Sequence, residues 1–498
     1  MIVNRYNNII WNNINNINIL TARFNPITYS IDYVLNDAEV FGELKYYFTF
    51  EEGKAINYYD LPEVKKFGYE FLGWYVKNTN DPFSTTYYYD YDIVLEAKFA
   101  GTIVDKNEKS INDNYVIINV EPTYGTLLLI FKYCKNKSFT YNVSSNCKKI
   151  TLIGNGEEIN LKINVYDRTD KLTIGFENIN AVGYDECCLI NASNSNIVVA
   201  YKGDIYLEGG KGKNGNVGDS ISGEALKGAT GAHGKSGGDG RDGNYAIYVS
   251  TVKFQNYDND SQITVVGGAG GDGGDGGNGQ TGGVGAKGPS GSIVSSKKGS
   301  DGEKGGNGGQ GGTGGNGAFA IYTTSYNGIY IVNSETCEFV GGAGGQGGAG
   351  GYGGKGGTGA ADKSINPFNG VGDPGDGGQG GRGGNGGNGG NGSQATNATN
   401  VDGIGGNGGV CGSGRSGGSG GDGGSAGFFG NNGQAGSKGI SGDAGSNGYN
   451  GLDGAYQEGN GTSNIIYENA YNDTFIELAK ELKIMVEQIK NSISNISV

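Results

Sequence analysis

The run Gly267-Gly268-Ala269-Gly270-Gly271-Asp272-Gly273-Gly274-Asp275-Gly276-Gly277-Asn278-Gly279 decides how most of this chain is read. Glycine returns at every third position from Gly267 to Gly291. The same period holds over 228–243, 299–317, 341–359, 372–390 and 418–454. A flexible linker has no reason to keep phase over such a length. Period three is the repeat of an extended threefold helix with a rise of ~3.1 Å per residue. That helix has no internal hydrogen bonds, so its N–H and C=O groups need partners to the side. In Gly-Gly-X two of three positions are bare. Two faces can therefore pack on neighbours while the third meets solvent. The reading is a set of ordered polyglycine II helices. A disordered linker and a collagen-like trimer stand as alternatives. The Gly-X-Y stretch from Gly430 to Gly454 is the best collagen candidate, although it has no proline.

Composition bounds the rest. Of 102 glycines in 498 residues only ten precede residue 201, and there are 7 prolines. The first ~200 residues can bury an ordinary core; the remainder needs other means of ordering itself. A net charge of −14 disfavours nucleic acid as a partner. No run of eighteen apolar residues exists, so membrane insertion is not expected. The asparagine-rich start, Met1 to Leu20, lacks the pattern of a signal peptide. His233 is the single histidine, and the six cysteines make no CxxC pair. Neither a metal site nor a cofactor is expected.

Between about 112 and 210 short β-branched runs recur, separated by Gly, Asn and Asp, as in Lys149 to Ile153 and Lys171 to Phe176. Three segments align without gaps. Cys188-Leu189-Ile190 opens one that closes at Gly209-Gly210; Ala246-Ile247-Tyr248 opens the next, closing at Gly267-Gly268; Ala320-Ile321-Tyr322 opens the third, closing at Gly341-Gly342. Matched coils with glycine spacers of varying length read as a parallel β-helix with insertions at one corner. Separate β-hairpins are the alternative.

The N-terminal part carries a different pattern. Tyr29, Ile31 and Tyr33 alternate with polar residues, Gly68-Tyr69-Glu70-Phe71-Leu72-Gly73-Trp74-Tyr75 follows, and Ile93-Val94-Leu95-Glu96-Ala97-Lys98-Phe99 closes the unit. These motifs resemble the internalin B-type (Listeria–Bacteroides) repeat over residues 28–100. Phe99 stands where that family usually has tryptophan, and Asp37-Ala38 replaces a usual glycine pair. The resemblance implies a small β-grasp-like module of bacterial surface proteins and no catalysis. Ile19 to Phe24 matches the closing strand at a spacing of 75 (94 − 19), so residues 1–27 read as the remnant of a preceding repeat.

The glycine region resembles the polyglycine adhesin at the tips of certain phage tail fibres, and the glycine-rich domain of PE-PGRS surface proteins. The first resemblance implies binding through loops that interrupt the helices. Here these are Ser292 to Lys298, Ala360 to Val371, Ser393 to Val401 and the Phe428-Phe429 pair. The candidate binding residues are Ser292, Ile293, Lys297, Lys298, Asn366, Pro367, Phe368, Phe428 and Phe429. Packing on the solenoid is the alternative for the two phenylalanines.

Catalytic readings find little support. Gly-x-Gly-x-x-Gly matches lack the strand–turn–helix context of a nucleotide site. Only His233 is available for a hydrolase triad. Asp185 and Glu186, near a coil corner, are the carboxylate pair a carbohydrate-active β-helix enzyme would need. At the C-terminus 455–470 reads as a last coil. Residues 472–495 read as a helix with a Thr474–Glu477 capping box and an apolar stripe, either capping the solenoid or forming a short coiled coil.

The expected fold is mainly β. A β-grasp-like repeat precedes coils over 112–210, and 211–454 alternates polyglycine II insertions with coils at 246–268 and 320–342. The expected function is a non-enzymatic, extracellular or cell-surface adhesin for a host or bacterial surface glycan or protein. A structural matrix protein, a phage tail adhesin and a polysaccharide-degrading enzyme remain as alternatives.

Overall fold

The computed structural model describes residues 8–14, 17–23, 27–49, 61–79, 81–84, 89–107, 115–135, 137–166, 168–184, 186–286, 299–326, 328–361, 374–398, 401–425, 432–450 and 452. The chain divides into two compact units, one formed by Met1–Val104 with Glu121–Leu128, the other by Asp105–Val120 with Leu129–Val498.

The first unit is β-rich. Asn8–Ile14 and Ile17–Arg23 pair antiparallel. Beyond them, a four-stranded sheet runs in the order Tyr47–Thr49, Thr28–Val34, Ile93–Ala100, Glu70–Val76. Its central pair, Thr28–Val34 with Ile93–Ala100, is parallel. The alternation read from the sequence places Ile31, Ile93, Leu95 and Ala97 inward, with Trp74 of the aromatic block buried among them. The Trp74 indole donates to Pro62 O at 3.3 Å, so the largest core side chain keeps its polar atom paired.

The second unit holds a large parallel sheet, an arrangement compatible with a β-solenoid. Its strands form three stacks. The first contains Tyr115–Ile118, Ser138–Val143, Glu158–Val165, the starts of Ile190–Lys202 and Ile247–Asn256, and Ile321–Thr323. The second contains Lys149–Ile153, Leu172–Glu177, the remainders of the same two long strands, and Ile329–Ile331. The third contains the start of Glu158–Val165, then Asn180–Val182, Asp204–Glu208, Gln262–Val266 and Cys337–Val340. Inward side chains stack on their equivalents one coil away: Leu152, Phe176, Tyr201 in one column, Leu161, Ile159 and Leu207 in others, all buried. Parallel strands covered this way need near-continuous apolar inward positions, which the short β-branched runs supply.

The coil alignment needs one correction. Closing strands pair with offsets of 58 (Asp204↔Gln262) and 74 (Ile263↔Cys337), as the sequence suggests. The opening of the first pair is Ile190↔Ile247, an offset of 57, with an irregularity between Ala192 and Asn196. In the next coil Val252 pairs with Ile329, an offset of 77. The coils are not gapless copies: a strand bulges where the corner absorbs extra or missing residues.

Eight glycine segments run outward from, or back toward, one corner of these coils: 209–221, 228–244, 267–286, 299–318, 341–360, 374–392, 405–425 and 432–450. Asp204–Glu208 runs directly into the first, Gln262–Val266 into the third and Cys337–Val340 into the fifth. The fourth returns to Ile321–Thr323. Each insertion is thus a hairpin of one outgoing and one returning segment. Residues 395–398 and 401–404 add a partial coil, most of it within the stretch Ser393 to Val401 that the sequence reading assigned to a loop: Thr396 bridges Ile321 and Ile404 bridges Val340, both parallel. The expected last coil (455–470) and C-terminal helix (472–495) lie outside the described residues.

Candidate functional site

The hydrogen bonds of the glycine segments follow one rule. In the third segment Gly267, Gly270, Gly273, Gly276, Gly279 and Gly282 donate to carbonyls of the fifth, from Val340 O to Lys355 O. The next residue of each triplet donates elsewhere: Gly271 to Arg241 O, Gly274 to Gly238 O and Gly277 to Lys235 O, all in the second segment. Every segment with the necessary neighbours repeats this. One donor reaches the parallel segment of the following coil, and the next reaches the antiparallel segment just before it in the chain. Outgoing segments therefore form one layer and returning segments a second, antiparallel layer.

The third N–H of the triplet is met by side chains. Gln346 N–H donates to Asp272 Oδ1 at 2.8 Å, Tyr352 N–H to Asn278 Oδ1 at 2.9 Å, and Asn391 N–H to Asn316 Oδ1 at 2.9 Å. His233 serves in the same way, its Nδ1 accepting from Asn307 N–H at 2.8 Å. The X of Gly-Gly-X is therefore often Asn or Asp because a short side-chain acceptor completes the backbone accounting of the neighbouring segment. It also explains the lone histidine as a rung of a ladder.

Glycine content follows position in the bundle. A Cβ on Gly274 would lie 2.0 Å from Asn216 O, and one on Gly273 would lie 2.1 Å from Gly312 O. The first segment has no preceding neighbour, and its equivalent positions carry Lys213, Asn216 and Asp219. The eighth has no following neighbour among the described residues, and it carries Ala435, Lys438, Ser441 and Ala444. Gly-X-Y over 430–454, read from sequence as the best collagen candidate, belongs where described to an edge segment bonded to the seventh, from Gly433 N–H···O Gly424 to Gly448 N–H···O Gly409.

The outer faces carry the remaining chemistry. Lys235 pairs with Asp219 at 2.8 Å, and this partner holds the Asp219 carboxyl below its ordinary range. Lys355 pairs with Asp422 at 3.0 Å, and Arg415 lies over the Tyr352 ring at 5.2 Å. At the junction with the coils, Tyr245, Tyr248, Phe319 and Tyr322 form an aromatic cluster. Tyr245 and Tyr322 stack at 5.0 Å, and Tyr248 meets Tyr322 edge-on at 5.7 Å. Burial, with the neighbouring phenols and the Cys188 thiol, raises the Tyr245 pKa above the ordinary phenol value. Beside the cluster lies an open groove of about 420 Å³.

All nine candidate binding residues, Ser292, Ile293, Lys297, Lys298, Asn366, Pro367, Phe368, Phe428 and Phe429, lie outside the described residues, in three of the connectors between outgoing and returning segments. The described flanks of those connectors sit in register at the bundle end away from the coils: Ser300 N–H donates to Ala286 O, Gly375 to Ala360 O and Gly433 to Gly424 O. Ser393 to Val401, expected as a fourth interrupting loop, belongs instead to the partial coil. Its Ala395, Ala398 and Val401 are buried, which removes them from any exposed contact surface. Asp185 lies outside the described residues, and Glu186 is engaged structurally, accepting from Arg241 at 2.9 Å and from Lys213 N–H at 3.1 Å. No group of three or more His, Cys, Asp or Glu poised for a metal occurs among the described residues. No helix among the described residues is long and apolar enough to cross a membrane. The sequence reading missed the aromatic cluster, yet its signal was there: Tyr245 and Tyr248 recur as Phe319 and Tyr322 at the coil offset of 74. No family model, curated protein or solved structure matches the chain.

Proposed function

We propose that the chain is a non-catalytic adhesin or extracellular binding protein, that its glycine segments are polyglycine II helices, and that these present binding loops at the far ends of the hairpins. The observation that carries this reading is the in-register gathering of the hairpin ends away from the coils. From Gly267 to Gly285 each outgoing segment covers roughly 55 Å at the threefold-helix rise. The interior is fixed by backbone bonds and has no room for side chains. Sequence variation is thereby confined to the outer faces and the connectors, which suits a scaffold that changes its partner without changing its fold. On this reading the N-terminal unit is an internalin B-type repeat of β-grasp-like form acting as a spacer, the C-terminal helix caps the solenoid, and the partner is a glycan or protein on another surface.

The test is binding of labelled protein to a glycan array and to whole cells, beside a variant in which 287–298 and 362–373 are replaced by short Gly-Asn turns. Saturable binding that the variant loses supports an adhesin reading its partner with the hairpin ends. Absence of binding by both proteins leaves a structural matrix protein as the better account.

A further inference from the structure

The outward positions of the first strand stack form a column: Asn142, Asn164, Asn191, Tyr248 and Tyr322 follow one another in the parallel register. Asn397 follows Tyr322 by the Ile321–Thr396 bridge. The asparagines bond along the column, with Asn164 Nδ2 donating to Asn142 Oδ1 at 2.8 Å. Two tyrosines interrupt this amide ladder where the glycine hairpins enter. They are backed by Tyr245 and Phe319, so the ring cluster is held from several sides, with Phe319 5.8 Å from Tyr322 and 6.1 Å from Tyr245.

The groove beside these rings is lined by Tyr248, Tyr322, Thr323, Ser325, Tyr326 and Asn397, and none of the described lining residues is charged. Its floor is preorganised. Asn397 accepts from Thr323 N–H at 2.9 Å and returns a bond to Thr323 O at 2.8 Å, while Ser325 Oγ lies 2.9 Å from Ser250 Oγ. Tyr326 is 88% exposed, so its ring is open to a ligand entering the groove. The phenol oxygens of Tyr248, Tyr322 and Tyr326 have no hydrogen-bond partner among the described residues.

Aromatic faces bordered by uncharged hydroxyls and a carboxamide match one ligand chemistry closely. A pyranose ring presents an apolar C–H face to a phenol ring and neutral hydroxyls to its rim. An acidic polymer finds no cation among the described lining residues, and an aliphatic ligand would leave the three phenols without a partner; the threonine hydroxyls are already engaged, Thr323 Oγ1 with Asn397 Oδ1 at 3.3 Å and Thr324 Oγ1 with Ser193 O at 3.0 Å. We propose that this groove is a neutral-saccharide subsite at the base of the hairpins, separate from any contact made by their far ends.

The test uses the full chain and a panel of cellohexaose, chitohexaose and mannohexaose, titrated calorimetrically. The proposal expects at least one to bind, and expects Tyr322→Ala and Tyr248→Ala each to weaken it by about tenfold or more, equivalent to about 1.4 kcal/mol. Tyr352→Ala, on the opposite layer, leaves it unchanged. Near-wild-type melting of the tyrosine variants is checked alongside, and Tyr322→Phe, which keeps the ring, separates stacking from a folding defect by retaining most of the affinity. Binding by none of the three sugars overturns the proposal, as does binding indifferent to both tyrosines. Because the hairpin-end variant described above retains these tyrosines, loss of whole-cell binding there with sugar binding intact would leave this subsite standing on its own.

Discussion

A single glycine in this bundle is a packing statement rather than a flexible joint. Gly348 shows it: a Cβ there would lie 2.1 Å from Gly274 O, a backbone atom with nowhere to turn. Gly348→Ala is therefore expected to cost about 3 kcal/mol or more, the upper end for overpacking. Ser441→Ala, on the exposed edge segment, should fall within about 0.5 kcal/mol of the parent. Chemical denaturation of the two variants checks this, and equal losses would contradict the neighbour rule. The X position makes a second prediction. Asn391 accepts the Tyr449 N–H at 2.9 Å. Asn391→Ala should expose that amide to exchange and lose about 1 kcal/mol, while Asn391→Asp keeps the acceptor and the protection. Residue-resolved hydrogen exchange at Tyr449 distinguishes the two. The period of three was legible from the sequence, and so was the bareness of two faces. The reason for Asn and Asp at the third position was not, because their acceptors serve residues 36 to 75 positions away.

At the level of elements, the coil and the hairpin are one object seen in two conformations. The offsets of 58 and 74 that join successive strands also join successive outgoing segments, as in Asp272 N–H to Asn214 Oδ1 and Gln346 N–H to Asp272 Oδ1. The stacked strand hands its register to the glycine segment that continues it. Glu208 sits at such a hand-over, at the end of Asp204–Glu208. Burial raises its pKa, Tyr206 opposes that with a 3.0 Å hydrogen bond, and Glu158 adds to the rise. A raised carboxyl pKa favours the folded state most at low pH, and that contribution is lost as pH climbs from the ordinary glutamate value near ~4.3 through the folded one. Glu208→Gln should thus raise the melting temperature at pH 7, with the gain disappearing below about pH 4. Melts at both pH values check it, and a gain independent of pH would place the effect elsewhere. Strand positions were readable because inward residues alternate. The partial coil at 395–404 was not, because Ala395, Thr396 and Ala398 carry too little apolar bulk to mark a strand in isolation.

For the whole molecule, the glycine-rich half holds itself together with hydrogen bonds where the N-terminal unit uses a core of Trp74, Phe48 and Leu95. Ordering glycine carries a large conformational cost, and dense backbone pairing throughout the interior of a two-layer sandwich is what offsets it. The low apolar fraction of 35% signalled that some such device was needed, although it did not reveal the layer order, which depends on which segment follows which around the coils. The same architecture brings the described ends of the hairpins together on the side away from the coils and leaves the Tyr248–Tyr322 groove at the coil side. Everything rests on the glycine segments being bonded as described. The most direct measurement is amide hydrogen exchange across 267–286. The account predicts that Gly270, Gly271 and Asp272 are protected together, through Ala343 O, Arg241 O and Asn214 Oδ1, while the edge amide of Ser441 exchanges fast. Uniformly fast exchange throughout 267–286 would contradict it.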